Sequence, residues 1–114
     1  MDVSRDAVSL RIFIGEEELT DGRPLYEAIV QTARETGLAG ATVLRGPMGF
    51  GKSSVLHSAK ILRLSADLPV LIEIVDSKEK IDAFLPRLEA IMGSGLITLQ
   101  QVQVLRYGSS SDKN

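Results

Sequence analysis

From Val8 the apolar positions alternate along the chain, with Val8, Leu10, Ile12 and Ile14 on one face and Ser9 and Arg11 on the other. This period of two predicts a half-buried strand. A polar, acidic connection runs from Gly15 to Gly22 and carries Glu16, Glu17 and Glu18 in a row. Pro24 then sits where a first helical turn tolerates proline, because the N–H it lacks would be unpaired there anyway. Leu25, Ala28, Ile29 and Ala33 recur at helical spacing, and Gly37 is placed to end that helix in left-handed backbone. Ala41 to Leu44 reads as a short apolar strand leading into a glycine-rich loop. Ser53 to Leu64 fits two patterns: Val55, Leu56, Ala59 and Leu62 suit a helical face, whereas Ile61, Leu62 and Leu64 suit a strand. After Pro69, Val70 to Val75 predicts a largely buried strand that ends at Asp76.

Ser77 is suited to cap a second helix, with Ile81, Phe84, Leu85, Leu88, Ile91 and Met92 as its apolar stripe. Pro86 falls inside this stripe. An interior proline costs about 3 kcal/mol through a lost hydrogen bond and a steric clash, so a kink or break is expected there. Gly93-Ser94-Gly95 ends the helix, and a last strand is expected over about Gln101 to Tyr107. Residues 1–107 thus predict a single domain, with 108–114 as a disordered polar tail. If Ser53 to Leu64 is extended, the element order is that of a ferredoxin-like βαββαβ domain. If it is helical, the order alternates βαβαβαβ and implies a parallel sheet.

Composition narrows the function classes. The chain has 114 residues, 44% of them hydrophobic and 25% charged, enough for one ordinary globular core. Its net charge of -2 comes from acidic and basic residues mixed along the sequence, which disfavours nucleic acid as a partner. The absence of cysteine rules out disulfides, thiol catalysis and thiolate metal sites, and a single histidine, His57, cannot build a multi-histidine zinc site. No apolar run approaches the roughly 20 residues of a membrane span, and the N-terminus lacks a basic start followed by an apolar core. A soluble, cytoplasmic protein is expected.

Gly46-Pro47-Met48-Gly49-Phe50-Gly51-Lys52-Ser53 matches the G-x-x-x-x-G-K-[ST] phosphate-loop signature. In such a loop glycines let backbone N–H groups face phosphate oxygens, the lysine reaches the terminal phosphates and the hydroxyl ligates magnesium. Lys52, Ser53 and Asp76 would then make a small nucleotide hydrolase. Two features weigh against it: the roughly 38 residues after Asp76 leave little room for a base pocket, and Pro47 removes an inward donor. No catalytic residue and no metal ligand is assigned on this reading. His57 suits structural hydrogen bonding better than catalysis.

A wider set of strings carries a resemblance. Gly22-Arg23-Pro24-Leu25-Tyr26-Glu27-Ala28-Ile29-Val30, Gly37 to Gly46, Gly49-Phe50-Gly51, His57, Leu64-Ser65 and Asp67-Leu68-Pro69-Val70 closely resemble the PII-like domain-of-unknown-function family number 190, over about Ser9 to Tyr107. The resemblance implies an α+β, ferredoxin-like βαββαβ sandwich, an antiparallel sheet with two helices on one face, assembling as a homotrimer. It further implies a regulatory, non-enzymatic module that binds AMP, ADP or ATP, or a similar phosphate-bearing effector, in clefts between subunits. By position, a long loop at 46–57 would report the ligand to a protein partner such as a membrane transporter or channel. Gly93, Ser94 and Gly95 look like the loop that wraps phosphates, and Arg106 is similar in position to basic residues that pair with them. With Arg45, Gly49, Phe50, Gly51, Lys52 and Ser53 from the long loop, these are the expected effector-binding residues. Each has a plainer rival: glycines that serve turns or caps, cations that face solvent, and a Phe50 that tucks into a neighbouring subunit. A ligand-free interaction trimer is the third reading.

Overall fold

The computed structural model describes residues 6–49 and 67–108. The alternating segment forms β1, Asp6–Gly15, and the acidic connection folds into a two-rung hairpin of β2, Leu19–Thr20, and β3, Arg23–Pro24. Then come α1 (Leu25–Glu35), β4 (Thr42–Arg45), β5 (Pro69–Asp76), α2 (Lys78–Ile91) and β6 (Leu96–Gln103). The long strands lie in the order β4-β5-β1-β6, and every neighbouring pair is antiparallel. This is the ferredoxin-like arrangement, so the parallel-sheet alternative is excluded by strand direction alone. Ser53 to Leu64, on which that choice rested in the sequence, lies outside the described residues.

Period-two patterning decides which sheet face becomes the core. Leu10, Ile12, Ile72 and Ile74 are fully buried and meet Leu25 and Ile29 of α1 and Ile81, Phe84 and Leu88 of α2, so both helices cover the same face. Burial of each such side chain contributes about 1.5–3 kcal/mol relative to exposure. The α1 terminus has the form expected of Gly37. At φ 78° this residue lets Leu38 N–H donate to Ala33 O (3.1 Å) and its own N–H donate to Arg34 O (3.1 Å), the paired bonds of a Schellman cap. Ser77 caps α2 by accepting from Lys80 N–H at 3.3 Å.

Two sequence expectations are corrected. α2 continues through Pro86 without a break. Pro86 lies on the exposed side, where the carbonyl it leaves unpaired meets water, while Ile81, Phe84 and Leu88 hold the opposite side in the core. The last strand occupies Leu96–Gln103, not 101–107, because β1 offers partners from Phe13, opposite Leu96, down to Asp6, opposite Gln103. Leu105 and Tyr107 therefore fall beyond the strand and are exposed.

No described helix covers the second sheet face. Register places Leu44, Leu71, Phe13 and Leu96 in one row across all four strands there, and Leu44 and Leu96 are each more than half exposed. In the next row Arg11 donates from Nε to Glu73 Oε2 at 2.9 Å, and Ser9 Oγ donates to the same oxygen at 3.1 Å. The Arg11 hydrogen bond is the main cause holding the Glu73 carboxyl below its ordinary value, against desolvation and with help from Ser9.

Candidate functional site

The antiparallel register sorts the candidate residues between the two ends of the sheet. At one end lie Gly15, the start of β5 at Pro69, the end of β4 at Arg45 and the start of β6 at Leu96. The Gly93–Gly95 loop therefore enters the same end as the Gly46–Gly49 segment. The opposite end holds Asp76, Gln103 and the residues after β6.

At the first end the backbone is tightly tied. Glu16 N–H donates to Leu68 O at 2.7 Å, Glu17 N–H to Asp67 Oδ1 at 3.0 Å, and Gly46 N–H to Pro69 O at 2.7 Å. Arg45 pairs with Glu16. The Glu18 carboxylate turns back to accept from Gly15 N–H at 2.7 Å, while its other oxygen faces Ser94 Oγ at 3.4 Å. It thus joins the acidic turn to the Gly93–Gly95 loop. Sequence reasoning passed over Glu18. The only signal was its place in the run of glutamates, and no pattern in the sequence foretells that its side chain bends back to the amide three residues earlier.

The glycines of this end differ in what they are needed for. A Cβ on Gly46 or Gly49 would meet Pro69 Cγ at 2.9 and 3.1 Å, so both lie against the proline ring that starts β5. That packing accounts for Gly46, the first glycine of the phosphate-loop signature, without any phosphate, and Gly49 falls at one of the signature's variable positions. Gly95 has φ 131°, and a Cβ there would meet the Phe13 carbonyl oxygen at 2.9 Å. Gly93 has open space around it. Phe50, Gly51, Lys52, Ser53 and His57 lie outside the described residues.

Asp76 is at the wrong end to join Gly46–Gly49 in magnesium chemistry. β4 runs antiparallel to β5, and Gly46 meets Pro69 at the start of β5 whereas Asp76 ends it. At about 3.3 Å per residue the strand separates them by about 20 Å. The Asp76 carboxylate is moreover fully buried and engaged: Oδ2 accepts from Ala39 N–H at 2.9 Å and Oδ1 from Ser77 N–H at 2.7 Å. A phosphate loop also needs its strand to feed a parallel sheet, and β4 pairs antiparallel to β5.

Arg106 likewise lies beyond the far end of β6, a strand's length from Gly93–Gly95. Its neighbour Tyr107 donates from its hydroxyl to Ala39 O at 3.1 Å. Within one chain Arg45, Gly49 and Gly93–Gly95 are thus gathered at one end, and Arg106 is not with them. Among the described residues there is no cluster of metal-ligating side chains, and no helix is long and apolar enough to cross a membrane.

The sequence profile of the family described as DUF190, Uncharacterized ACR, matches residues 7–104. A UPF0166 protein of Aquifex aeolicus is 45% identical over 98 residues, covering 84% of this chain and 90% of that protein. A UPF0166 protein of Methanocaldococcus jannaschii is 38% identical over 98 residues, covering 85% and 90%. Among solved structures, CPII, a nitrogen regulatory PII-like protein of Thiomonas intermedia K12 bound to ADP, AMP and bicarbonate, superposes with a TM-score of 0.64 at 19% identity, over 89% of this chain and 90% of that one. GlnK of B. subtilis superposes with a TM-score of 0.53 at 16% identity, over 85% of each chain. These structures share the fold.

Proposed function

We propose that this chain, which belongs to the DUF190 family, is a cytoplasmic, PII-like regulatory module rather than an enzyme. It binds an adenine nucleotide or a similar phosphate-bearing effector in the clefts of a homotrimer, and the loop at 46–57 passes the bound state to a protein partner such as a transporter or channel. One observation carries the reading: Arg45, the root of the long loop and the Gly93–Gly95 loop share one end of the sheet, in a fold of which CPII is an example bound to ADP and AMP. Glycine-rich loops admit phosphate oxygens to backbone amides, and arginine grips them in a bidentate fashion.

Two features favour assembly from several copies. The row Leu44, Leu71, Phe13 and Leu96 leaves apolar surface on the sheet face that no described helix covers, which a second copy would remove from water. Arg106, a strand's length from the loop of its own chain, reaches a phosphate only at a neighbour's Gly93–Gly95. The domain so assembled is residues 1–107.

Thermal unfolding of the full chain with AMP, ADP and ATP tests the proposal, alongside its mass in solution. A trimer is expected, with one nucleotide at 100 times its dissociation constant raising stability by about 2.7 kcal/mol. A confirmed trimer whose melting no nucleotide shifts would overturn effector binding and leave the interaction trimer.

A further inference from the structure

The geometry points to Arg11 and Glu73 as the residues by which copies of this chain recognise one another, the guanidinium of each copy meeting the carboxylate of the next. The assignment rests on the reading of the Leu44, Leu71, Phe13 and Leu96 row as a surface between copies. Register puts the pair in the adjacent row of the same sheet face, where Thr42, Glu73, Arg11 and Thr98 lie side by side across all four strands. Part of its bonding capacity is used within the chain, since Arg11 Nε and Ser9 Oγ both donate to Glu73 Oε2. Toward the described residues, Glu73 Oε1 accepts no hydrogen bond and the two Nη groups of Arg11 donate none. With the side chains 46% and 34% exposed, the pair is open to a partner on that face.

Charge decides which partner fits. The row holds one cation, one anion and two hydroxyls, and the Arg11 contact keeps the Glu73 carboxyl below its ordinary value, so both charges persist at neutral pH and cancel. A polyanion or a polybasic segment would satisfy one sign and strand the other, whereas a second copy offers both. In a ring of copies each guanidinium bridges its own carboxylate through Nε and its neighbour's through Nη, so every charge stays paired where water is excluded. The pair also fixes how the copies align. A slip by one row, about 7 Å along the strands, would turn the free groups of Arg11 and Glu73 against apolar side chains. The leucines thus supply contact area and the ion pair selects the partner and its alignment.

The mass of the assembly over a range of concentrations tests this with wild type, Glu73→Gln, Arg11→Met and the exchange variant that carries both Arg11→Glu and Glu73→Arg. Glutamine keeps an oxygen for Arg11 and Ser9, so Glu73→Gln is expected to fold as wild type does and to dissociate at about a hundredfold higher concentration. Arg11→Met should behave alike. The exchange variant should assemble with itself and fail to mix with isotope-labelled wild type, because every mixed contact brings like charges together. Exchanging the Lys78–Asp82 ion pair of α2, the helix that packs on the opposite sheet face, is the control and should mix freely. The assignment fails alone if the exchange variant mixes freely with wild type, if it folds yet assembles no better than the single variants, or if those variants assemble as tightly as wild type. A wild type that stays monomeric would bring down the assembly reading and the assignment together.

Discussion

Replacing Gly95 with alanine is expected to cost the protein about 3 kcal/mol, seen as a drop of roughly 10 °C in melting temperature. Two terms add. At φ 131° an L side chain is strained whatever room it has. There is also no room, since the new Cβ would lie 2.8 Å from Met92 Cε, 2.9 Å from the Phe13 carbonyl oxygen and 3.0 Å from Ile14 Cγ2. The methionine end can swing aside at small cost. The Phe13 carbonyl cannot, because β1 is paired on both sides, with Leu71 and with Leu96. Gly93→Ala is the matched control: nothing lies within 4 Å of its Cβ position, and its melting temperature should fall by no more than a few degrees. Equal, small losses for both variants would show that the loop relaxes freely, and that the geometry offered to a phosphate is not fixed by β1.

The contrast between these two glycines marks where sequence reading stops. Both were legible as loop glycines, and local pattern does not tell them apart. What separates them is β1, about eighty residues away in sequence, whose carbonyl closes in on one and leaves the other open. The core followed from local pattern because a period of two fixes a strand's faces: Leu10, Ile12, Ile72 and Ile74 are buried together as alternation requires. Gly37 was legible for the same reason, its cap being made within six residues. The last strand was misplaced because its extent is decided by the length of β1, and the passage of α2 through Pro86 because exposure of that side depends on where the core lies. Glu18 and the partition of site residues between the two sheet ends required strand direction. No window of sequence contains that.

Asp76→Ala is expected to cost about 3 kcal/mol and to leave any nucleotide-binding end of the sheet in place. The carboxylate accepts one amide hydrogen on each oxygen and is fully buried, so its removal leaves the part-buried N–H groups of Ala39 and Ser77 without their acceptors. Each unpaired buried donor costs about 1–3 kcal/mol. Asparagine repairs half of the damage: its carbonyl replaces one acceptor, but its NH2 group is turned toward the other donor, so Asp76→Asn should also destabilise. Ser77→Ala gives up only the capping bond to Lys80 N–H and should cost about 1 kcal/mol. Amide exchange separates this role from the magnesium-binding one that the sequence motif suggested. A structural clasp predicts faster exchange at Ala39 and Ser77 in Asp76→Asn, with nucleotide affinity unchanged in the folded protein. Loss of affinity at unchanged stability would instead assign Asp76 to the ligand.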